Sequence, residues 1–386
     1  MGYSPHGGGK RDRLTMRTWL LQLCVLLAVA GCKGPDDHLE DLRTVNERDE
    51  ASRRYRLKAD VYDAGQLVHE AFAALADADA LTLSQMARAV GWAGRVAADS
   101  EVPLCRAQAV ALTASLCVRY PIPPRAAPWT TTDGEKVRTI ITEAVNVIGR
   151  EDEYQTLENG LIDILDNPDR AVADKARQRL KEISKQDFGT DPEKWRAWWE
   201  REKVSLLADS EARMRPQFEA LAGVRLENLK SGAALLIFLG EHLRTADPPG
   251  LREVTSAAVQ NAARQVAVYT ILTGLRTQDA PDVRGAAAVA VSDVPDPAFG
   301  DVLVFAVARE RDPVCRGRLI EALSRYPKRE TVAALIRQME DAERTGEAGV
   351  ALLSRRALTA LTSEDRGSAS EAWSLWFERD GKDRWP

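Results

Sequence analysis

Apolar residues recur along most of the chain at intervals of three and four positions, which is the spacing of one face of an α-helix. The clearest runs cover Ala64–Ala76, Leu83–Ala98 and Ala107–Val118. Strict alternation of apolar and polar residues, which indicates a half-buried β-strand, is almost missing. The pattern therefore predicts an all-α protein.

One stretch of this pattern occurs twice. Residues 190–201 read TDPEKWRAWWER and residues 368–379 read SASEAWSLWFER, 178 positions later and without a gap. Both copies open with Ser/Thr-x-x-Glu, the sequence of a capping box, and then carry aromatic residues at i, i+3 and i+4 on one helical face. We expect these six rings to be core residues that close two modules: Trp195, Trp198, Trp199, Trp373, Trp376 and Phe377.

The same offset relates two further pairs of positions, each an apolar residue followed by arginine. Cys105-Arg106 aligns with Val283-Arg284, and Val137-Arg138 aligns with Cys315-Arg316. Within each copy the two steps are 32 residues apart. A period of this length without strands is typical of stacked helical hairpins, none of which can bury its apolar face alone. The sequence thus predicts an α-solenoid made of two duplicated modules.

The best-formed unit reads Asp312-Pro313-Val314-Cys315-Arg316 and is followed by Ala322-Leu323. It resembles the turn and second helix of HEAT repeats, and residues 279–284 form a looser copy. The resemblance implies that the turn acid and the helix arginine pair along the stack, Asp312 with Arg316 and Asp279 with Arg284. The four repeat arginines are interpreted as structural, and a functional role is the minority interpretation: Arg106, Arg138, Arg284 and Arg316.

The two copies differ most at residues 120–130, where four prolines lie within eight residues. Proline lacks the backbone N–H and clashes with the preceding turn, so a loop is expected where the aligned residues 298–308 form a helix. The loop carries Arg125 and Trp129, and Trp and Arg are common anchors of protein interfaces. Two interpretations stay open: a partner-binding loop, or a loop that packs Trp129 into a gap between helices.

The N-terminus carries basic residues and then the apolar run Trp19–Ala30, which ends in Val29-Ala30-Gly31-Cys32. It resembles a bacterial lipoprotein signal peptide, with Met1 or Met16 as the start. The resemblance implies cleavage before Cys32 and transfer of diacylglycerol to its thiol, with palmitate among the acyl chains. The run of 12 residues is shorter than the roughly 20 that span a bilayer.

These observations divide the chain into four parts. Residues 1–31 are the predicted signal peptide and residues 32–60 a polar tether. Residues 61–203 and 204–386 are the two HEAT-like modules, each with its tryptophan-bearing helix at or near the end.

Composition changes this picture little. With 386 residues, 45% of them hydrophobic, the chain can bury a large core. Its formal net charge of −5 disfavours a nucleic-acid partner, and membrane contact is expected through the N-terminal lipid.

The sequence carries no recognisable catalytic, cofactor or metal motif. Cys105 and Cys117 lie about 18 Å apart on one predicted helix, too far for a disulfide. We therefore expect a scaffold for protein–protein interaction, anchored in the bacterial cell envelope and facing the periplasm or the surface, with an unidentified protein partner. The alternative is an enzyme of the lyase or maturation type, by analogy with HEAT-like proteins related to bilin lyases, whose acidic or thiol site the sequence does not locate.

Overall fold

The computed structural model describes residues 34–44, 68, 70–78, 80–120, 131–156, 160–245, 249–277 and 280–384. Within these ranges the prediction of an all-α protein is confirmed, and the β-type pairing there is one isolated bridge between Thr131 and Val224. Residues 35–44 and 70–77 are helical. The later helices are α1 (Leu83–Asp99), α2 (Pro103–Arg119), α3 (Gly134–Thr156), α4 (Arg170–Ser184), α5 (Pro192–Gly223), α6 (Leu229–Thr245), α7 (Arg252–Arg276), α8 (Pro281–Asp293), α9 (Phe299–Arg309), α10 (Pro313–Leu323), α11 (Arg329–Thr345), α12 (Ala348–Thr362) and α13 (Ser370–Trp376).

The second half of the chain arranges its helices in two rows. Helices α8, α10 and α12 contact one another in succession, and so do α7, α9, α11 and α13. Consecutive helices of the two rows also pair as α7/α8, α9/α10 and α11/α12. Between the rows lies a continuous apolar core that includes Leu303, Leu319, Leu335 and Leu358.

The hairpin of α1 and α2 extends both rows, because α1 packs against α7 and α2 packs against α8. Helices α2 and α8 begin at Pro103 and Pro281, which are equivalent positions of the sequence duplication. The two copies of this helix therefore contact each other directly. Helix α3 packs on α5 and α6 instead of joining a row, and α6 packs along α1.

The tryptophan-bearing helix of the first copy is longer than predicted. Helix α5 begins at Pro192 and continues for 32 residues to Gly223, so it runs through the predicted boundary between residues 203 and 204. It contains no glycine before Gly223, and it continues through Pro216, where Met214 and Phe218 on either side supply a second buried stripe. Its counterpart α13 has 7 residues and passes into a π-helical turn, Phe377–Gly381.

All six predicted aromatic side chains are buried, each with at most 8% of its surface exposed. Trp195 packs edge-on against Trp198 with ring centroids 5.9 Å apart, and Trp373 packs edge-on against Trp376 at the same separation. The first trio belongs to a small core with α4, and the second belongs to the core between the two rows.

The predicted capping boxes are wrong in both copies. Asp191, one residue after Thr190, caps α5 by accepting the backbone N–H groups of Glu193 and Lys194. Helix α13 has no side-chain cap of its own, since Glu343 of α11 accepts the backbone N–H of Ser370 at 2.8 Å. In each case a carboxylate, and not the predicted hydroxyl, accepts N–H groups at the start of the helix.

The turn before each aromatic helix is duplicated in atomic detail. Helices α4 and α12 end at left-handed residues, Lys185 with φ 58° and Ser363 with φ 59°. Four positions on, Gly189 and Gly367 also have positive φ, and their carbonyls accept the indole N–H of Trp195 and Trp373 at 2.9 and 3.1 Å. Glycine is needed there because other residues are strained in that conformation.

An ion pair fixes this turn in each copy. Arg177 Nε lies 3.3 Å from Asp187 Oδ1, and Arg355 Nε lies 3.1 Å from Asp365 Oδ1. Each aspartate also accepts the backbone N–H of the following glycine, at 3.1 and 2.9 Å. The repeated unit is therefore a helix, a left-handed cap, an aspartate-stabilised glycine turn and an aromatic helix.

The first part of the predicted polar tether is a helix packed on the rest of the protein. Residues 35–44 form a helix, and its Leu39 and Leu42 are buried at 2% and 0% exposure in the same core as α1 and α6. Leu39 and Leu42, three residues apart, lie on one face of this short helix and pack into the apolar core. The charged residues around them do not reveal this packing in the sequence. Residues 45–60 of the predicted tether lie outside the described ranges.

Candidate interaction surface

Three residues proposed from the sequence as functional lie outside the described ranges: Cys32, Arg125 and Trp129. Within those ranges, the site with the most distinctive chemistry is a cavity of 390 Å³ at the ends of α7 and α9 and the start of α8. We call it the arginine groove and define it by six of its lining residues: Arg276, Arg284, Phe305, Arg309, Glu310 and Arg311.

A buried ion pair forms the base of the arginine groove. The Arg284 guanidinium donates from Nε to Glu310 Oε2 at 2.6 Å and from Nη2 to Oε1 at 3.0 Å. Its Nη1 donates to the carbonyl of Thr277 at 2.8 Å. The two side chains are 13% and 1% exposed. Because the guanidinium and the carboxylate form a bidentate contact, this ion pair ties α8 to the residues that precede α10.

Glu310 is held as a carboxylate. Burial acts to raise its pKa, but hydrogen bonds from the Arg284 guanidinium, the Cys315 thiol and one backbone N–H lower it to about 2. The backbone donor is Asp312, whose N–H donates to Glu310 Oε1 at 2.9 Å, and the N–H of Arg311 donates to the same oxygen at 2.9 Å. Glu310 is thus fully engaged by protein donors and leaves little negative charge for a ligand.

The rim of the groove is cationic and aromatic. Phe305 is 52% exposed, and the guanidinium carbon of Arg309 lies 3.9 Å from its ring centroid. Arg276, Arg309 and Arg311 are exposed. None of the ion pairs found between described residues involves these three arginines. The rim can therefore bind anionic groups while Phe305 offers an apolar contact beside them.

The arginine pairs differ from the predicted ladder. Asp312 caps α10, where its carboxylate accepts the backbone N–H of Cys315 at 2.7 Å, and Arg316 forms an ion pair with Glu347. Arg284 pairs with Glu310, and Asp279 lies outside the described residues. Each arginine therefore reaches forward to a glutamate at the entry of the next helix of its row. The glutamates satisfy this geometry because the capping aspartate is already used by its own helix.

The other two repeat arginines have different surroundings. In α2, the Nε of Arg106 is buried and has no hydrogen-bond partner among the described residues. In α3, the side chain of Arg138 is 68% exposed and lies 3.7 Å from Glu227. Among the proposed residues that the structure describes, only Arg284 lines the arginine groove.

Sequence reasoning missed the groove's rim. Phe305 and Arg309 are four residues apart on α9, a spacing that places them side by side on a helix. That local signal was present, but the meeting of α9 with the ends of α7 and α8 depends on tertiary packing. No sequence motif marks Glu310 as a functional residue, since a single glutamate is not distinctive in an acidic chain.

No candidate reaction centre accompanies the groove. Burial and the adjacent Glu310 carboxylate raise the pKa of the Cys315 thiol to about 12, and burial raises the pKa of Cys117 to about 12. Such thiols stay protonated near neutral pH and are poor nucleophiles. Among the described residues, no three His, Cys, Asp or Glu side chains are grouped so that they could hold a metal ion.

Within the described ranges, every helix is too short or too polar to cross a bilayer. No protein-family model, curated protein or solved structure matches the chain.

Proposed function

We propose that the protein is a lipid-anchored scaffold that binds an acidic segment of a partner protein in the arginine groove. The observation that carries this proposal is the exposed pairing of Phe305 and Arg309 beside two further exposed arginines. Aromatic and arginine side chains dominate the energetics of protein interfaces. The partner segment supplies carboxylates for the arginines and an apolar side chain for the Phe305 ring.

The architecture we propose is an α-solenoid of HEAT-like hairpins. Its support is the succession of contacts within the two rows, α8–α10–α12 and α7–α9–α11–α13, together with the duplicated turn before each aromatic helix. Stacked hairpins expose an extended surface, which is the property of such proteins that suits a scaffold.

The anchor we propose is a lipid on Cys32, in the bacterial cell envelope, with the folded part facing the periplasm or the cell surface. Its support is the short apolar run followed by Ala30-Gly31-Cys32. The predicted loop with Arg125 and Trp129 is a second contact in this proposal, since its residues align in the duplication with α9, the helix that carries Phe305.

The enzymatic alternative has no supporting observation at the two groups best placed for it. Cys315 is protonated near neutral pH, whereas Glu310 is ionised there and pairs with Arg284, with a pKa of about 2 that lies below the range of a general acid or base working near neutral pH. Binding therefore accounts for the groove better than catalysis does.

The binding claim is tested by fluorescence anisotropy with a labelled peptide of alternating glutamate and phenylalanine. Phe305→Ala and Arg309→Gln should each weaken binding by roughly tenfold or more, because each removes one part of the paired contact. Leu375→Ala and Arg329→Gln, which change an exposed apolar residue and an exposed arginine outside the groove, should leave the affinity unchanged.

A second peptide with glutamine in place of each glutamate should bind weakly, because the arginines then have no charged partner. Equal binding of the two peptides, or equal affinity of the groove variants and the controls, contradicts an acidic partner in the arginine groove.

A further inference from the structure

The outer side of α2 is apolar and uncharged. From Ala107 to Val118 the helix has no charged residue, although 29% of the chain is charged. Leu104 and Val118 are 59% and 57% exposed on this side, and Ala111 between them is exposed as well. The opposite side of the helix is packed in the core. Surfaces that lie at the centre of a protein interface are depleted of charge in the same way.

The exposed positions of α2 are arranged symmetrically. Leu104 lies seven residues before Ala111 and Val118 lies seven residues after it, so all three share one face of the helix. Ala107 and Ser115 flank Ala111 at four residues on either side. When two copies of α2 pack antiparallel with their Ala111 residues in contact, Leu104 of each copy meets Val118 of the other. The small side chains near the centre allow the roughly 8 Å separation of closely packed helices.

Helix α8 continues this face. It lies next to α2 in the same row, and its Val289 is 52% exposed. A Cβ atom on Gly274 of α7 would lie 3.3 Å from Val110 of α2 and 2.9 Å from Ala287 of α8, so these two residues are at the same level. Val289 is therefore within one helical turn of the level of Ala111. A two-fold axis through Ala111 thus also brings the Val289 residues of two copies together.

Charges of opposite sign stand at the two ends of α2. Glu101 is exposed just before the helix begins, and Arg119 is exposed at its last residue. The guanidinium of Arg119 donates to the carbonyls of Ala76 and Ala78, which leaves its positive charge without a carboxylate partner among the described residues. In an antiparallel pair, Glu101 of each copy lies beside Arg119 of the other. Two attractive contacts therefore flank the apolar stripe.

Two exposed arginines of α10 lie along α8. A Cβ atom on Gly285, near the start of α8, would lie 2.8 Å from Nη1 of Arg318. Near the end of α8, Nη1 of Arg325 donates to the carbonyl of Ser292 at 3.2 Å. Both arginines are exposed, and the ion pairs found between described residues involve neither of them. With the exposed Glu321 between them, this side of α10 keeps one net positive charge.

The acidic residues of α8 complement these arginines across the same axis. Asp282 and Asp293 are exposed at the two ends of α8. An axis that passes near Val289 exchanges the two ends of the helix. Asp293 of one copy therefore lies where Arg318 of the other is found, and Asp282 lies near the other copy's Arg325. Acid faces base on both sides of the apolar centre.

We infer that a second copy of this chain covers the face, with α2 and α8 packed antiparallel on α2 and α8 of the other copy. A two-fold interface needs a self-complementary surface, and here apolar groups meet apolar groups and acids meet bases. None of the paired residues lines the arginine groove, so the inference is independent of the proposed binding function. The dimer carries two arginine grooves, which strengthens binding of a partner with two acidic segments.

Disulfide crosslinking tests the geometry in the full chain, purified in mild detergent. Cys24→Ser and Cys32→Ser are included in every sample, and this parent, which keeps its internal thiols, is the control and should not crosslink. On oxidation, Ala111→Cys should form a covalent dimer, because the two residues meet on the axis within disulfide distance. Leu104→Cys and Val118→Cys should each remain uncrosslinked alone and should crosslink when they are mixed.

Sedimentation velocity over a range of concentrations tests the affinity. Leu104→Glu should raise the dissociation constant of the dimer roughly tenfold or more, because it places two unpaired charges in the apolar contact. Leu375→Glu, which changes a leucine that is 65% exposed outside this face, is the matched control and should leave the constant unchanged.

Three results overturn the inference. A parent that stays monomeric at every concentration shows that no dimer forms. Crosslinking of Leu104→Cys alone or Val118→Cys alone, without Ala111→Cys, shows that the helices are not antiparallel about Ala111. An equal loss of affinity in Leu104→Glu and Leu375→Glu places the contact between copies elsewhere on the protein.

Discussion

Single side chains decide which charges of the arginine groove are available to a partner. Glu310 could neutralise the rim, but its carboxylate is turned into the protein and held by Arg284 and by two backbone N–H groups. The three exposed arginines of the rim therefore keep their charge for a ligand. The same contact ties binding to folding, since the base of the groove is also a structural ion pair.

Glu310→Gln should destabilise the protein at neutral pH and flatten its response to acid. The folded-state pKa of about 2 lies below the ordinary value of 4.5, so the contribution of Glu310 is present above pH 4.5 and is lost as the pH falls toward 2. Its size is about 3 kcal/mol. Thermal unfolding followed by circular dichroism at a series of pH values measures both effects. A variant that keeps the parental acid response shows that Glu310 is not the group that titrates.

Trp376→Ala should lower stability by about 3–5 kcal/mol, because it empties a large volume in the core between the two rows. Trp376 is 4% exposed, whereas its neighbour Leu375 is 65% exposed. Leu375→Ala is therefore the matched control and should change the melting temperature little. If the two variants melt together, the Trp376 ring is not part of the core.

At the scale of elements, close packing of α1 against α6 depends on glycine. A Cβ atom at Gly240 would lie 2.9 Å from the carbonyl oxygen of Ser84 and 2.5 Å from Cγ of Arg88, and one at Gly91 would lie 3.0 Å from the carbonyl oxygen of Ala233. Ser84 Oγ donates to the carbonyl of Gly240 at 2.7 Å across the same contact. Backbone groups cannot move aside as a flexible side chain can, so the two helices approach only where side chains are absent.

Gly240→Ala should destabilise the protein by about 1–3 kcal/mol, since the added methyl group forces α1 and α6 apart. Gly149→Ala in α3 is the control, because a Cβ at that position has no neighbour within 4 Å. Alanine there should raise stability by about 0.5–1 kcal/mol through its better helix propensity. Chemical denaturation of both variants gives the comparison, and a destabilised Gly149→Ala or a neutral Gly240→Ala contradicts this account of the packing.

The sequence predicted the helices well, but it did not predict which side chains pair between helices. Periodicity gave the helices, and the spacing of the tryptophans put their rings on the face that is buried. The offset of 178 residues also joins Arg177 with Arg355, Asp187 with Asp365 and Gly189 with Gly367, so the duplicated turn was readable in principle. The partners of Arg284 and Arg316 were not readable, because Glu310 and Glu347 come from other helices and only packing brings them near.

At the scale of the whole molecule, the two copies of the duplicated sequence do not fold as two separate halves. Helices α2 and α8 are equivalent in sequence and pack on each other, while α3 to α6 fill the chain between them. The proposed binding site, the arginine groove, is a cationic surface on an acidic chain. In the proposed account it binds an acidic partner, while the lipid on Cys32 anchors the protein in the membrane.

Cells that express the protein should incorporate a labelled fatty acid into it, and Cys32→Ser should abolish the label, because the proposed acylation uses that thiol. Metabolic labelling followed by immunoprecipitation measures this directly. Cys315→Ser is the control and should keep the label, since that thiol is buried. Persistent labelling of Cys32→Ser places the acyl group elsewhere on the chain.

The central claim is that an acidic partner segment occupies the arginine groove, and site-specific photocrosslinking in living cells tests it most directly. A photoreactive phenylalanine analogue is placed at position 305 in the groove, which is 52% exposed, or at position 375 on α13, which is 65% exposed and does not line the groove. The account predicts a discrete adduct from position 305, identified by mass spectrometry as a protein crosslinked through an acidic segment, which Arg309→Glu abolishes. The absence of an adduct at position 305, the same adduct from position 375, or an adduct that survives Arg309→Glu would contradict it.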